Sequence, residues 1–115
     1  MKVAISASGD NLEAQAHGLF GRCDCFVIVD TDTGETTALK NTSADAATGA
    51  GTACAQELFS AGVTAVVSGK VGPNAYEVLK AAGVAIHLAP PGITVQEALE
   101  KFKAGSLAVM QVQRF

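Results

Sequence analysis

Three side chains in residues 17–26 have the atoms that bind soft metal ions. His17 offers an imidazole nitrogen, and Cys23 and Cys25 offer two thiols separated by one residue. In an extended strand, residues at i and i+2 point to the same face, so both thiols can reach one ion. Thiolates select Cu(I), zinc or iron–sulfur species. Because free cysteine is also among the most buried residue types, the motif leaves a metal site and a pair of structural cysteines both open.

Glycine-bearing loops form a second candidate site, one that suits an anion. They comprise residues 6–11, 48–52 and 69–74, and the last two lead into predicted helices. The first turn of a helix has unpaired N–H groups and the positive end of the helix dipole, which together favour negative charge. Basic side chains adjoin these loops and can neutralise an anion there. They are Arg22, Lys40 and Lys70.

Neither helix-leading loop matches a nucleotide-binding motif. Residues 49–54 resemble a dinucleotide fingerprint, but Cys54 stands where the last glycine belongs, and no strand runs directly into the segment. Gly69 and Lys70 lack the leading glycine and the Ser or Thr of a phosphate loop. Cys54 itself has two interpretations, a thiol whose pKa is lowered by the helix N-terminus and a small residue that packs against the sheet.

The composition is that of one domain over residues 1–115, with a core in 1–105 and a tail in 106–115. Of the 115 residues, 49% are apolar and 17% are charged, which is typical of a globular chain. The net charge of −3 and the scattered basic residues argue against nucleic-acid binding, which needs clustered Lys and Arg. No apolar run has membrane-spanning length. Three cysteines without disulfide-scaffold spacing favour free thiols and a cytoplasmic location.

The hydrophobic pattern predicts an α/β fold with a five-stranded mixed sheet. Right-handed crossovers place strands one, four and five parallel, with the hairpin of strands two and three on the other side of strand one. The predicted order is therefore 3-2-1-4-5, and residues 107–115 form a tail or an edge strand. The predicted strands are 2–7, 26–31, 36–40, 63–68 and 84–88, and the predicted helices are 52–61, 73–82 and a capped segment from 94 to near 105.

Ligands in such sheets bind at the carboxyl ends of the strands, and the residues expected there do not form a catalytic set. Strand one has Ala4, Ser6 and Ser8 where a two-metal nuclease of this topology needs carboxylates. The chain also has no Gly-x-Ser-x-Gly elbow. We therefore expect a binding protein and not an enzyme.

Five segments taken together are characteristic of one protein family. They are Phe20-Gly21-Arg22 and residues 26–30, 49–51, 69–75 and 94–99. In this order they resemble the dinitrogenase iron–molybdenum cofactor biosynthesis family, which includes cluster carriers of the NifX and NafY type. The similarity extends over nearly the whole chain. It implies a ribonuclease H-like α/β fold without nuclease activity.

The resemblance also implies that the chain carries or stores an anionic metal–sulfur cluster. The implied cargo is a mixed molybdenum–copper sulfide cluster, with iron–molybdenum and iron–sulfur clusters as alternatives. The implied site is largely non-covalent, with apolar and positively charged surroundings, and the implied partners are ParA/MinD-type ATPases of a complex linked to cell division. Together with the basic residues at the loops, the predicted cofactor-binding residues are Phe20, Gly21, Arg22, Lys40, Gly49, Gly51, Thr52, Lys70, Gly72 and Asn74.

Other functions fit the same residues. Direct ligation by His17, Cys23 and Cys25 would hold copper or iron covalently, unlike a non-covalent site. An adaptor without bound metal is a second possibility, and a thiol redox protein built on Cys23 and Cys25 is a third.

Overall fold

A mixed β-sheet forms the centre of the protein, as shown by a computed structural model that describes residues 1–42 and 49–110. Its strand order is β3-β2-β1-β4-β5-β6. The strands are β1 Lys2–Ala7, β2 Cys25–Asp30, β3 Thr36–Lys40, β4 Ala65–Ser68, β5 Ala85–Leu88 and β6 Ala108–Val109, and the helices are α1 Ala50–Ser60, α2 Pro73–Ala81 and α3 Val95–Lys103. Within the described part of the chain, no helix is long and apolar enough to cross a membrane.

Each face of the sheet has its own apolar core, because the central strands are apolar on both sides. In β1, Val3 and Ile5 point to one face and Ala4 points to the other. Helices α1 and α2 cover the face that contains Ala4, and α3 covers the face that contains Val3. Every residue of β1 after Lys2 is buried, as expected for a strand that is covered on both faces.

The predicted order is confirmed for the first five strands, but the predicted number of strands is wrong. The sheet has six strands, because Val109 and Ala108 pair antiparallel with His87 and Leu88. β6 has only two residues, and so short a strand has too few positions for alternation to distinguish it from a tail. Residues 43–48, which include the first residue of the glycine-bearing loop 48–52, and residues 111–115 of the predicted tail lie outside the described residues.

Helix α1 begins earlier than predicted and buries a narrower face. The pattern placed its start at Thr52 and put Phe59 on the core side. The helix instead begins at Ala50, directly after Gly49, whose φ of 77° lies in the left-handed region that favours glycine. Leu58 is fully buried, whereas Phe59 is 56% exposed. Consecutive helical residues are about 100° apart, so these two neighbours do not both face the core.

We expect Leu58→Ala to lower the free energy of unfolding by about 2–5 kcal/mol, because it leaves a cavity in the core between the sheet and the helices. The neighbouring change Phe59→Ala removes an exposed ring and should alter stability by less than about 0.5 kcal/mol. Urea unfolding followed by circular dichroism measures both values. Equal losses in the two variants would contradict the assignment of the buried face.

Candidate functional site

A cleft of about 300 Å³ lies where β4 leads into α2. It is bounded by three segments: the short 3-10 turn Phe20–Arg22, the start of α1 and the start of α2. Its lining residues are Leu19, Phe20, Gly21, Arg22, Gly49, Ala50, Gly51, Thr52, Lys70, Gly72, Pro73, Asn74 and Ala75. The volume is at the lower end of the range for small-molecule sites.

The turn Phe20–Arg22 is anchored by an aromatic side chain. Phe20 is buried, and the centroid of its ring lies 5.2 Å from that of Phe26. The Phe20 N–H donates to the Lys70 carbonyl at 2.9 Å, which ties the turn to the segment between β4 and α2. With Phe20 held in the core, Arg22 lies exposed at the cleft.

Two glycines allow the three segments to come into close contact. A Cβ atom at Gly21 would lie 2.9 Å from the backbone nitrogen of Gly51, and one at Gly51 would lie 3.1 Å from Cβ of Ala75. The neighbour of Gly21 is helix backbone, which does not move aside as a flexible side chain does. Glycine at position 21 is therefore required for this close approach of backbone to backbone.

Both helices that face the cleft begin without a side-chain cap from the described residues. Their N-cap residues are Gly49 and Gly72, and Pro73 at the first position of α2 has no N–H. By contrast, α3 has the predicted capping box, in which Thr94 and Glu97 each accept from the other's backbone N–H at 3.1 and 3.0 Å. The first turns of α1 and α2 thus offer N–H donors and the positive end of the helix dipole to a ligand.

The cleft is positively charged although the whole chain carries a net charge of −3. Arg22 and Lys70 line it, and no Asp or Glu of the described residues does. Leu19, Pro73 and Ala75 contribute apolar walls, and Leu19 is 46% exposed at the rim. This combination fits an anion with a polarisable surface better than a cation or a neutral polar molecule.

All the predicted cofactor-binding residues except Lys40 line this cleft. Lys40 lies at the end of β3, an edge strand of the sheet. It lines a separate groove of about 400 Å³, together with Asp10, Asp24 and Cys25. Although Lys40 lies close in sequence to the loop before α1, it is therefore not at the cleft that this loop lines.

The structure does not bring His17, Cys23 and Cys25 together. Among residues 1–42 and 49–110, no three His, Cys, Asp or Glu side chains are grouped so that they could hold a metal ion. β2 begins at Cys25, so Cys23 precedes the strand and is not subject to its alternation. Cys23 packs with Phe26 on the α1 side of the sheet, whereas Cys25 shares the opposite face with Val27.

His17 lies in a different cavity from the thiols. It lines a cavity of about 270 Å³ with Pro90 and Pro91. The Leu19 N–H donates to Nδ1 of His17 at 3.0 Å. This nitrogen therefore has a partner in the backbone of its own loop.

All three thiols are buried and disfavour ionisation. Burial raises the pKa of Cys23 to about 12 and that of Cys54 to about 11, and burial also raises the pKa of Cys25. The lowered pKa considered for Cys54 is wrong, because α1 begins at Ala50 and places Cys54 in its second turn, inside the core. Neutral, buried thiols are weak nucleophiles and poor starting points for metal ligation.

Sequence reasoning did not find Asn41, a buried polar residue that bonds to the cleft's framework. Its side-chain amide donates to the carbonyls of Gly21 and Cys23, and its carbonyl accepts from the Cys54 thiol. Asn41 directly follows β3 and begins a segment, residues 41–51, whose content of Ser, Thr, Ala, Asp and Gly predicts a loop with nothing to bury. The signal that was available is the position of an Asn at the end of a strand, which by itself does not indicate burial.

Comparisons with known proteins identify a family and several similar structures. The sequence model of the family described as dinitrogenase iron-molybdenum cofactor matches residues 1–105. The apo form of the orange protein from Desulfovibrio gigas is similar in structure, with a TM-score of 0.91 and 33% identity over 95% of this chain and 92% of that one. A putative NifB protein from Thermotoga, assigned to the DUF35 family, is similar with a TM-score of 0.86 and 39% identity over 98% and 97%.

A relative of similar length is found in an archaeon. An uncharacterised protein of Methanocaldococcus jannaschii is 33% identical over 110 residues, which is 93% of this chain and 89% of the relative.

We expect Gly21→Ala to lower the free energy of unfolding by about 1–3 kcal/mol, because the added methyl group is forced against the backbone of α1. Gly18→Ala is the matched control, since a Cβ at Gly18 meets no atom within 4 Å. Its effect should stay within about 0.5 kcal/mol. Urea unfolding compares the two. A Gly21→Ala protein as stable as Gly18→Ala would show that the turn and α1 are not in tight contact.

The raised pKa of Cys23 predicts that the protein loses stability at alkaline pH. Above about pH 9 the thiol ionises in the unfolded chain but stays protonated in the folded one up to about pH 12. Because the unfolded state then binds fewer protons, the free energy of unfolding falls as pH rises. The loss between about pH 8 and about pH 10 should be smaller in Cys23→Ala than in the wild type. Parallel losses in both proteins would contradict a buried, protonated Cys23.

Proposed function

The chain belongs to the dinitrogenase iron–molybdenum cofactor family, and from this premise we propose that it binds and carries an anionic metal–sulfur cluster in the cleft between the Phe20–Arg22 turn, α1 and α2. One observation carries the proposal. One cleft is lined by Arg22, by Lys70 and by the starts of two helices that have no side-chain cap from the described residues. No Asp or Glu of the described residues lines it. In a chain with net charge −3, such a cleft supports anion binding.

The chemistry of a metal–sulfur cluster matches the lining. Terminal and bridging sulfides are soft, polarisable acceptors, and they suit backbone N–H donors and guanidinium or ammonium groups better than a strongly hydrated pocket. The apolar residues Leu19 and Pro73 contact such a surface without desolvating an unpaired polar group. The cargo is thus held by many weak contacts and released intact.

Non-covalent binding is further supported by the state of the thiols. Cys23 and Cys54 are buried, and their raised pKa values keep them protonated near neutral pH. Neither is among the residues that line the cleft. Cys23 and Cys25 are both buried, with pKa values raised by burial, which weighs against a thiol redox protein built on that pair, because disulfide exchange needs an accessible thiolate.

We further propose that the cargo is a mixed molybdenum–copper sulfide cluster. The support is the similarity in structure to the orange protein and the resemblance of the sequence to small cluster carriers. The family's description favours an iron–molybdenum cluster as the alternative. A carrier role without catalysis and ParA/MinD-type ATPase partners follow from the same resemblance and stay predictions, as does the cytoplasmic location expected from the sequence.

The proposal predicts that the apo protein takes up molybdenum and copper in a fixed ratio when tetrathiomolybdate and a copper salt are added. Uptake is followed by visible charge-transfer bands and by elemental analysis after gel filtration. Lys70→Glu should weaken uptake by on the order of tenfold, because it places negative charge at the cleft. Raising the ionic strength should weaken uptake by the wild type in the same direction.

Lys40→Glu is the matched control, since it makes the same change of charge in the separate groove. Its uptake should equal that of the wild type. The double variant Cys23→Ser with Cys25→Ser, if it folds, should also retain the cluster. A colourless wild-type protein that takes up neither metal would contradict the proposed function and favour an adaptor without bound metal.

A further inference from the structure

Asn41 is a buried polar residue that joins three segments around the cleft. It is 7% exposed and directly follows β3. Its backbone N–H donates to the Asp24 carbonyl at 3.0 Å, which fixes it to the start of β2. Its side chain then reaches toward the turn on one side and α1 on the other, so one residue connects the two walls of the cleft.

On the side of the turn, Asn41 uses both of its amide hydrogens. Nδ2 donates to the Gly21 carbonyl at 3.1 Å and to the Cys23 carbonyl at 2.9 Å. The first of these bonds restrains the Gly21–Arg22 peptide, and Arg22, which follows it directly, lines the cleft.

On the side of the helix, Asn41 uses its acceptor. The Cys54 thiol donates to Oδ1 at 3.2 Å. Cys54 lies one turn after Gly51, whose backbone nitrogen is the atom nearest to a Cβ at Gly21. Two sets of contacts therefore determine the distance between the Phe20–Arg22 segment and the first turn of α1. Asn41 bonds to both segments through its side chain, and Gly21 and Gly51 allow the two backbones to come close.

Only a side chain with two donors and one acceptor at this length satisfies all three partners. An ionised Asp accepts but does not donate, and Ser has a single hydroxyl hydrogen. Loss of either donor leaves a carbonyl of the turn without its buried partner, which costs more than the hydrogen bond itself contributes.

We infer that Asn41 is a positioning residue for the cargo: it holds the Phe20–Arg22 turn at the distance from α1 at which Arg22 and the first-turn N–H groups meet one anion. This inference rests on the proposed function, because the cargo is the metal–sulfur cluster proposed above. Asn41 does not line the cleft and acts only through the turn and the helix.

The test compares Asn41→Asp and Asn41→Ser with a variant that is destabilised elsewhere. Val29→Ala is that control, because Val29 lies at the far end of β2 from Cys25, in the core under α3. Each protein is titrated with tetrathiomolybdate and a copper salt, and the affinity and the position of the charge-transfer band are recorded. Thermal unfolding of the apo proteins gives the loss of stability for comparison.

We expect Asn41→Asp to bind on the order of tenfold more weakly than the wild type and to shift the band, because both donors to the turn are lost. Asn41→Ser, whose hydroxyl is one bond shorter than the amide and carries a single hydrogen, should also bind more weakly than the wild type, and it decides the matter if Asn41→Asp does not fold. Val29→Ala should keep the wild-type affinity and band at a similar loss of thermal stability.

Three outcomes overturn the inference, and they are distinguishable. If the wild type takes up the cluster and both Asn41 variants match it in affinity and band position, Asn41 is structural only and the proposed function stands. If the wild type takes up nothing, the proposed function fails and the inference fails with it. A loss of affinity in Val29→Ala as large as in Asn41→Ser also overturns it, since affinity would then follow stability alone.

Discussion

The close approach of the Phe20–Arg22 turn to the first turn of α1 is the contact on which the cleft depends. It is possible because Gly21 and Gly51 have no side chains. A Cβ atom added at Gly21 would lie only 2.9 Å from the backbone nitrogen of Gly51. The buried Phe20 ring holds the turn from the core, and the Lys70 carbonyl holds its N–H. Any side chain between the two backbones would widen the cleft and separate the groups that converge on it.

That contact also explains how an acidic chain has a basic site. The net charge of −3 is distributed over the surface, while Arg22 and Lys70 meet at the cleft beside two helix N-termini. Helix dipoles and first-turn N–H groups add positive potential that no count of Lys and Arg includes. The thiols of Cys23 and Cys25, which the sequence offers as metal ligands, are instead buried on opposite faces of the sheet with raised pKa values.

Much of the fold was predictable because its signals are local. The apolar runs of β1 and β4, the glycines that follow the helices and the Thr94–Glu97 capping box each report the conformation of their own segment. Right-handed crossovers then leave one order for five strands. β6 was not predicted because a strand of two residues leaves almost no periodic signal. The exposure of Phe59 was not predicted because the apolar pattern does not fix the buried face of a helix to within one residue.

By itself, the sequence determined the α/β class and the order of five strands, because backbone conformation and hydrophobic period depend on neighbouring residues. Its resemblance to a family supplied the residues of the turn and of the helix starts that line the cleft. Only the tertiary structure decided which of the candidate residues meet. It placed Lys40 in another groove, separated His17 from the thiols, put Cys23 and Cys25 on opposite faces and buried Asn41 behind the turn. These outcomes depend on contacts between segments far apart in the chain, whose distances no local pattern encodes.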